Sequence, residues 1–183
     1  MGRAAAPGRR AIRSAVTRRW VDGRGAAMVE FAFILPVLMA MLLGTVTGGI
    51  AYHEKIAMAD AVREGARFGA TLTDGTGFAT SVRDRTEQLS AGELGHDDVC
   101  VQLVRAGSPD TVVRSYYPTS GGGSCPASFG SAPPTPSMPG GYCVVKVWAH
   151  RTADLQAFFF TKAVDLKAKA VAAYERGATA GVC

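Results

Sequence analysis

One apolar stretch limits what this chain can fold into. From Phe31 to His53 it carries no Asp, Glu, Lys or Arg over 23 residues, which is about 34 Å of helix at roughly 1.5 Å per residue. The hydrocarbon core of a bilayer needs about 20 apolar residues, so the sequence predicts a transmembrane helix over residues 25–53. A cleaved signal peptide is the alternative, but its apolar region is about 7–15 residues long, and this stretch is longer.

The charges are divided unevenly by this stretch. Residues 1–24 hold seven Arg and one Asp, whereas residues 54–183 hold 13 basic and 13 acidic residues. An excess of Lys and Arg marks the cytoplasmic flank of a membrane helix. We therefore expect an Arg-rich cytoplasmic leader at 1–24, a single pass through the lipid bilayer, and an extracytoplasmic domain at 54–183. A leader that binds nucleic acid is the alternative, but a topology signal accounts for its charge and no nucleic-acid partner is predicted.

The pattern beyond the span predicts an α+β domain. Small and apolar residues continue at helical spacing to Ala70, which predicts one helix of about 45 residues with its second half against the domain. Residues 78–89 predict a second helix, and alternation predicts an antiparallel sheet of three or four strands from residues 99–103, 111–117, 142–149 and 164–174. Residues 153–160 are expected to form a helical turn whose three Phe close the core, with contact to the membrane surface as the alternative.

Residues 118–141 are rich in Pro, Gly and Ser, which predicts a loop. A solvated insertion is the main expectation and a binding loop the alternative. All four cysteines lie on the predicted exported side, where disulfides are permitted, and they allow three pairings among which spacing does not choose; they are Cys100, Cys125, Cys143 and Cys183. No Cys/His cluster with metal-ligand spacing is present, so neither a metal nor another cofactor is predicted.

Glu30 is the one charge inside the start of the apolar segment. An isolated charge in a span costs roughly 2.5–3.5 kcal/mol on insertion scales. If a peptidase cut after Gly25, Ala26 would supply a free amine one helical turn away, and the Glu30 carboxylate of one subunit would meet the Ala26 amine of a staggered neighbour. The alternative is that Glu30 lies at the headgroup boundary, where the helix dipole favours an acid.

Glycine spacing predicts a helix-packing face in the second half of the span. Gly44 and Gly48 form a GxxxG pair, and this spacing lets two membrane helices approach closely.

Residues 24–70 resemble the TadE-like family of tight-adherence, or Flp-type, pilus systems. The matching features are Arg24-Gly25-Ala26-Ala27, Val29-Glu30-Phe31-Ala32, Leu35-Pro36, Gly44 and Arg63-Glu64-Gly65-Ala66-Arg67. The resemblance implies a pilin-like fold and a pseudopilin, or minor pilin, of a type IV-like pilus or related secretion apparatus in the bacterial cytoplasmic membrane. It implies other pilins, the assembly platform and a prepilin peptidase as partners, with processing at Gly25 and Ala26 and an assembly role for Glu30 and Phe31. Major pilins of these systems usually carry Glu-Tyr, so Glu30-Phe31 favours a minor component.

Two other classes of function compete with this interpretation. A single-pass anchored binding module would present the loop at 118–141 outside the cell. A membrane-tethered enzyme would have to use His53, His96 or His150, but the sequence contains no nucleophile elbow, HExxH or P-loop motif. The sequence therefore predicts a protein that is not an enzyme.

Overall fold

A computed structural model describes residues 24–107, 109–119, 123–136, 142–157 and 160–175. Residues 1–23, Phe158, Phe159 and Cys183, on which several of the predictions above fall, lie outside these ranges. The chain divides into two units, residues 1–42 and 43–183.

The first unit holds the beginning of a long helix, α1, which spans Arg24–Thr71 and contains Pro36. Every side chain from Gly25 to Leu42 is exposed, including those of Phe31 and Phe33. An apolar helix with no covered face is suited to lipid rather than to water. Pro36 removes one backbone donor, which membrane helices tolerate.

The second unit pairs the rest of α1 and a second helix with a four-stranded sheet. Its elements are α2 (Phe78–Leu89), β1 (Val99–Arg105), β2 (Thr111–Tyr116), β3 (Cys143–Ala157) and β4 (Phe160–Ala173). The strand order is β2-β1-β3-β4, and all neighbours are antiparallel. The predicted α+β class is confirmed, with four strands in the sheet.

Both helices cover the same face of the sheet. Because side chains alternate along a strand, Val101, Leu103 and Val147 point to this face, where they join Met58 and Val62 of α1 in one buried cluster. All five are at most 1% exposed. The predicted amphipathic second half of α1 is thus the layer that closes the core.

The opposite face of the sheet is covered in part by the loop that precedes β3. Phe129, in a short 3₁₀ turn, packs with Trp148 and Cys100 of the sheet. A disulfide joins Cys100 to Cys125, and Cys143 is also disulfide-bonded. The expected solvated insertion is therefore wrong for the middle of this loop, because burial of one aromatic ring and a covalent bond to β1 hold it against the sheet.

The predicted helical turn at 153–160 is also wrong. β3 continues through Ala157 and pairs with β4 as far as Ala157↔Phe160. A run of three Phe has no period-2 alternation, so the local pattern did not reveal the strand. The extended conformation is stabilised by the ladder with β4, which lies later in the chain.

A candidate assembly site on the first helix

Glu30 lies on the exposed apolar part of α1. Its side chain is exposed, and no ion pair or hydrogen bond joins it to any residue in the described ranges. The neighbouring Phe31 is 59% exposed. Within this unit the structure therefore supplies neither a countercharge for Glu30 nor a pocket for Phe31.

Gly25 and Ala26 lie in the same helix and are exposed as well. A Cβ added at Gly25 would meet no atom within 4 Å. Ala26 and Glu30 are four residues apart, so they share one helix face about one turn apart. The expected new amine would be the main-chain nitrogen of Ala26, so it would lie at the end of this exposed helix, about one turn from Glu30.

Gly44 and Gly48 belong to the second unit, on the same helix. A Cβ at either position would meet no atom within 4 Å, so packing against the described residues does not explain these glycines. Between them, the Thr47 hydroxyl donates to the Leu43 carbonyl oxygen at 2.8 Å, which satisfies this polar group within the helix. Close approach of another helix here stays a prediction.

Two other glycines of α1 do have a packing reason, which sequence reasoning missed. A Cβ on Gly65 would lie 2.0 Å from Thr86 Oγ1 of α2, and one on Gly69 would lie 2.9 Å from both Val82 and Val145. These glycines let α2 and β3 pack against the backbone of α1. The only sequence signal is their spacing of four residues on the buried helix face.

A polar cluster joins α2 to the turn before β1. Glu87 Oε1 lies 3.3 Å from Arg83 Nε as an ion pair, and Glu87 Oε2 lies 2.9 Å from His96 Nδ1. The Arg83 guanidinium also contacts Asp84 and stacks over Tyr116 at 4.4 Å. Burial raises the pKa of Glu87, and the charges of His96 and Arg83 act in the opposite direction. Asp84, Glu87 and His96 are close enough to share a cation, but the Arg83 cation already contacts both carboxylates, which makes this an ion-pair cluster.

The predicted candidates for catalysis are not brought together with one another. His53 is exposed on α1, and His96 contacts Glu87 as described. His150 lies 3.2 Å from Asp165 on β4 and packs against the ring of Phe129. These are separate pairs on different elements, and they do not form a shared site.

A buried cation on the loop-covered face of the sheet was also missed. Lys146 of β3 is 5% exposed, and its ammonium donates to Asp110 at 3.3 Å. Asp110 also accepts from the Thr135 hydroxyl and from the Gly107 backbone. The Thr135 hydrogen bond, with those from Gly107 and Lys146, holds the pKa of Asp110 below its usual value. The burial of Lys146 could not be predicted from the sequence, because an exposed lysine in a strand gives the same local pattern.

These features define a class of protein: a small α+β domain built on the end of a long helix whose beginning has no cover. Within the described ranges, α1 is the one helix long and apolar enough to cross a membrane. Residues 25–67, which lie wholly in this helix, match the family model described as TadE-like protein. The resemblance inferred from the sequence is therefore confirmed over this segment. Neither the search of curated proteins nor that of solved structures found a match.

Proposed function

We propose that this protein is a TadE-like pseudopilin, a membrane-anchored minor component that takes part in assembling a tight-adherence pilus or a related secretion apparatus. The observation that carries the proposal is the family match over residues 25–67. Its first part, residues 25–42, is an exposed apolar helix with a single acid, Glu30, near its start. Other pilins and the assembly platform are its partners. It acts as a structural subunit and catalyses no reaction.

In this proposal α1 is anchored in the bacterial cytoplasmic membrane with its N-terminus inside. The Arg-rich residues before the span support this orientation, since positive flanks stay in the cytoplasm. The disulfide between Cys100 and Cys125 supports an oxidising compartment for the domain. An impermeant protease added to intact spheroplasts should digest the domain, and protection of the domain until lysis would contradict the orientation.

Glu30 has the central role. A prepilin peptidase removes the leader after Gly25, and the new Ala26 amine of one subunit pairs with Glu30 of a neighbour. An unpaired charge in the apolar region costs roughly 2.5–3.5 kcal/mol, so pairing favours ordered association of the helices over separate subunits in the membrane.

The test has two parts. Co-expression with an active prepilin peptidase should shorten the protein by the leader, as read by N-terminal sequencing; a chain that still begins at Met1, beside a processed control pilin, would exclude processing. Glu30→Ala should leave membrane insertion intact and strongly reduce pilus formation. Asp60→Ala is the matched control, because Asp60 is an exposed acid on the same helix, beyond the apolar stretch and outside the named family features. Normal pili with Glu30→Ala would exclude the assembly role of Glu30.

A single-pass binding module outside any pilus is the competing function. It is distinguished by substitutions in exposed parts of the loop before β3, such as Ser128→Ala or Ser131→Ala, which keep Phe129 and Cys125 in place. Loss of surface binding with unchanged pili would favour the binding module.

A further inference from the structure

The hairpin formed by β3 and β4 extends well beyond the rest of the sheet. β1 pairs with β3 only from Cys143 to Ala149, whereas the ladder between β3 and β4 continues to Ala157↔Phe160. We call residues 150–157 and 160–167 the hairpin end. It is a two-stranded extension at one end of the domain.

The hairpin end lies beside a particular part of α1. Val145, near the start of β3, packs against Gly69, while residues 151–154 line a cleft together with Thr47, Ile50 and Glu54. β3 therefore runs antiparallel to residues 47–69 of α1. A second cleft is lined by Gly48 and Tyr52 on α1 and by Leu155 and Val164 on the hairpin end. It likewise places the hairpin end beside residues 47–54 of α1.

The hairpin end is unsuited to hydrocarbon. Asp154, Lys162 and Asp165 are exposed, and a charged group in a span costs roughly 2.5–3.5 kcal/mol. β4 is also an edge strand of the described sheet, so its outer backbone N–H and C=O groups require water or headgroups. Lipid-exposed sheet edges do not occur within the hydrocarbon region.

These observations conflict with a span that continues to His53. The last seven residues of the charge-free stretch, 47–53, lie beside the hairpin end. The exposed charges and the open strand edge of the hairpin end are unsuited to hydrocarbon at this depth. We propose that the hydrocarbon ends near Thr47 and that the hairpin end rests on the lipid headgroups. The partner of this surface is the bilayer itself, and the inference rests on the membrane insertion of α1 in the proposed function.

Exposure along α1 agrees with this boundary to within one helical turn. One side of the helix is half-buried at Leu43, Thr47 and Ala51, so its cover begins one turn before Thr47. Tyr52 is 66% exposed, and tyrosine prefers the headgroup level. It lies five residues past Thr47, in the layer that the proposal assigns to headgroups.

The boundary near Thr47 also determines how deep Glu30 lies in the bilayer. A span of about 17 to 25 residues that ends at Val46 begins between Asp22 and Glu30. With about 17 residues Glu30 is the first residue of the span, and every longer span in this range places Glu30 inside it. With a span of about 20 residues the start is Ala27, and Glu30 lies roughly 5 Å inside at 1.5 Å per residue. An acid at the headgroup boundary, the alternative considered for Glu30, fits only the shortest span in this range.

Cysteine accessibility tests the boundary. Single variants Met41→Cys, Ile50→Cys and His53→Cys would be expressed in a host without pilus components, and membrane fragments open on both sides would be treated with an impermeant maleimide. Met41 and Ile50 are matched, with exposures of 66% and 56% in the protein itself. The wild-type chain measures the background of the native cysteines.

We expect Ile50→Cys and His53→Cys to react at least ten times faster than Met41→Cys, and all three to react alike after detergent. Protection of both Met41→Cys and Ile50→Cys, with His53→Cys reactive, would overturn the boundary and leave the membrane anchor standing. Equal reaction of all three without detergent would show that α1 is outside the membrane, which would overturn the proposed function as well.

Discussion

At the residue scale, the glycines of α1 fall into two groups that the sequence does not distinguish. Gly44 and Gly48 face open space, whereas Gly65 and Gly69 are in contact with α2 and β3. Within each pair the spacing is four residues on one helix. Only the tertiary structure shows that the second pair is required by close packing inside the domain.

Gly65→Ala is expected to destabilise the domain. The new Cβ would lie 2.0 Å from Thr86 Oγ1, and overpacking of this kind typically costs about 1–3 kcal/mol. Urea unfolding in detergent solution measures the change. Gly44→Ala is the control, since its Cβ meets nothing within 4 Å, and it should cause no loss.

A double variant separates the clash from a general helix effect. Thr86→Ala removes the hydroxyl that the new Cβ meets, so Gly65→Ala combined with Thr86→Ala should recover part of the loss. If the changes in the free energy of unfolding of the two single variants simply add in the double variant, the contact between the new Cβ and Thr86 is not the cause of the loss.

The pair of Asp110 and Lys146 predicts a pH-dependent stability. The pKa of Asp110 is lowered in the folded protein, first by the Thr135 hydroxyl, so the folded state binds the proton more weakly than the unfolded state does. The contribution of Asp110 to the free energy of unfolding is fully present above its pKa in the unfolded chain, about 3.9. This contribution is lost as the pH falls through the lower pKa of the folded state. Asp110→Asn should cost about 1–3 kcal/mol at neutral pH because it leaves buried Lys146 without its carboxylate.

The difference between wild type and Asp110→Asn should shrink as pH falls below about 4. Urea midpoints measured from pH 7 down to the acid limit of folding test this. A difference that stays constant across the range would show that the carboxylate charge is not what stabilises the folded state. Asp154→Asn is a control, since Asp154 is an exposed acid with no carboxylate–ammonium contact among the described ion pairs.

At the element scale, the loop before β3 is fixed to the sheet by one bond and one ring. Cys125 is joined to Cys100 of β1 across 25 residues of sequence, and Phe129 is 3% exposed. The composition of the loop indicates solvated chain. Its cysteine and its one aromatic residue instead hold the loop against the sheet, because each contacts a buried residue of β1 or β3.

Removing this disulfide should destabilise the domain without changing its fold. The double variant Cys100→Ala with Cys125→Ala is expected to lose about 3.5 kcal/mol, from the entropy of a loop of this length in the unfolded chain. Thermal unfolding measures the loss, and Ser128→Ala, an exposed change in the same loop, is the control. An unchanged midpoint would indicate that Phe129 alone holds the loop.

How far the sequence predicts these elements depends on where their stabilisation comes from. α2 and β1 follow local periodicity, so both were predicted close to their actual bounds. The distal part of β3 has no such pattern, and its pairing with β4 fixes it. Of the candidate assembly site, the family features on α1 were readable from sequence. The bilayer boundary was not, because it depends on which part of α1 the hairpin end lies beside.

At the scale of the whole molecule, the domain requires a part of α1 that belongs to the family match. Met58, Val62 and Ala66 lie within the matched residues 25–67, and each is at most 1% exposed in the core. The match therefore covers both the proposed anchor and one wall of the domain.

A truncation experiment follows from this arrangement. A fragment of residues 43–183 should fold, because it keeps every residue of the buried cluster. A fragment of residues 72–183 should not, because it loses the core contacts that α1 makes through Met58, Val62 and Ala66. Circular dichroism and cooperative unfolding distinguish the two, and a cooperative transition in the shorter fragment would contradict the role given to α1.

The order of the elements also has a consequence for biosynthesis. Among the described elements α1 is synthesised first and β3 is the last but one. Val145 of β3 packs against Gly69 of α1. At 5–20 residues per second, about 4–15 s pass between synthesis of these two residues. For that interval the core face of α1 is a nascent surface without its sheet, so a holding chaperone would protect it at that stage.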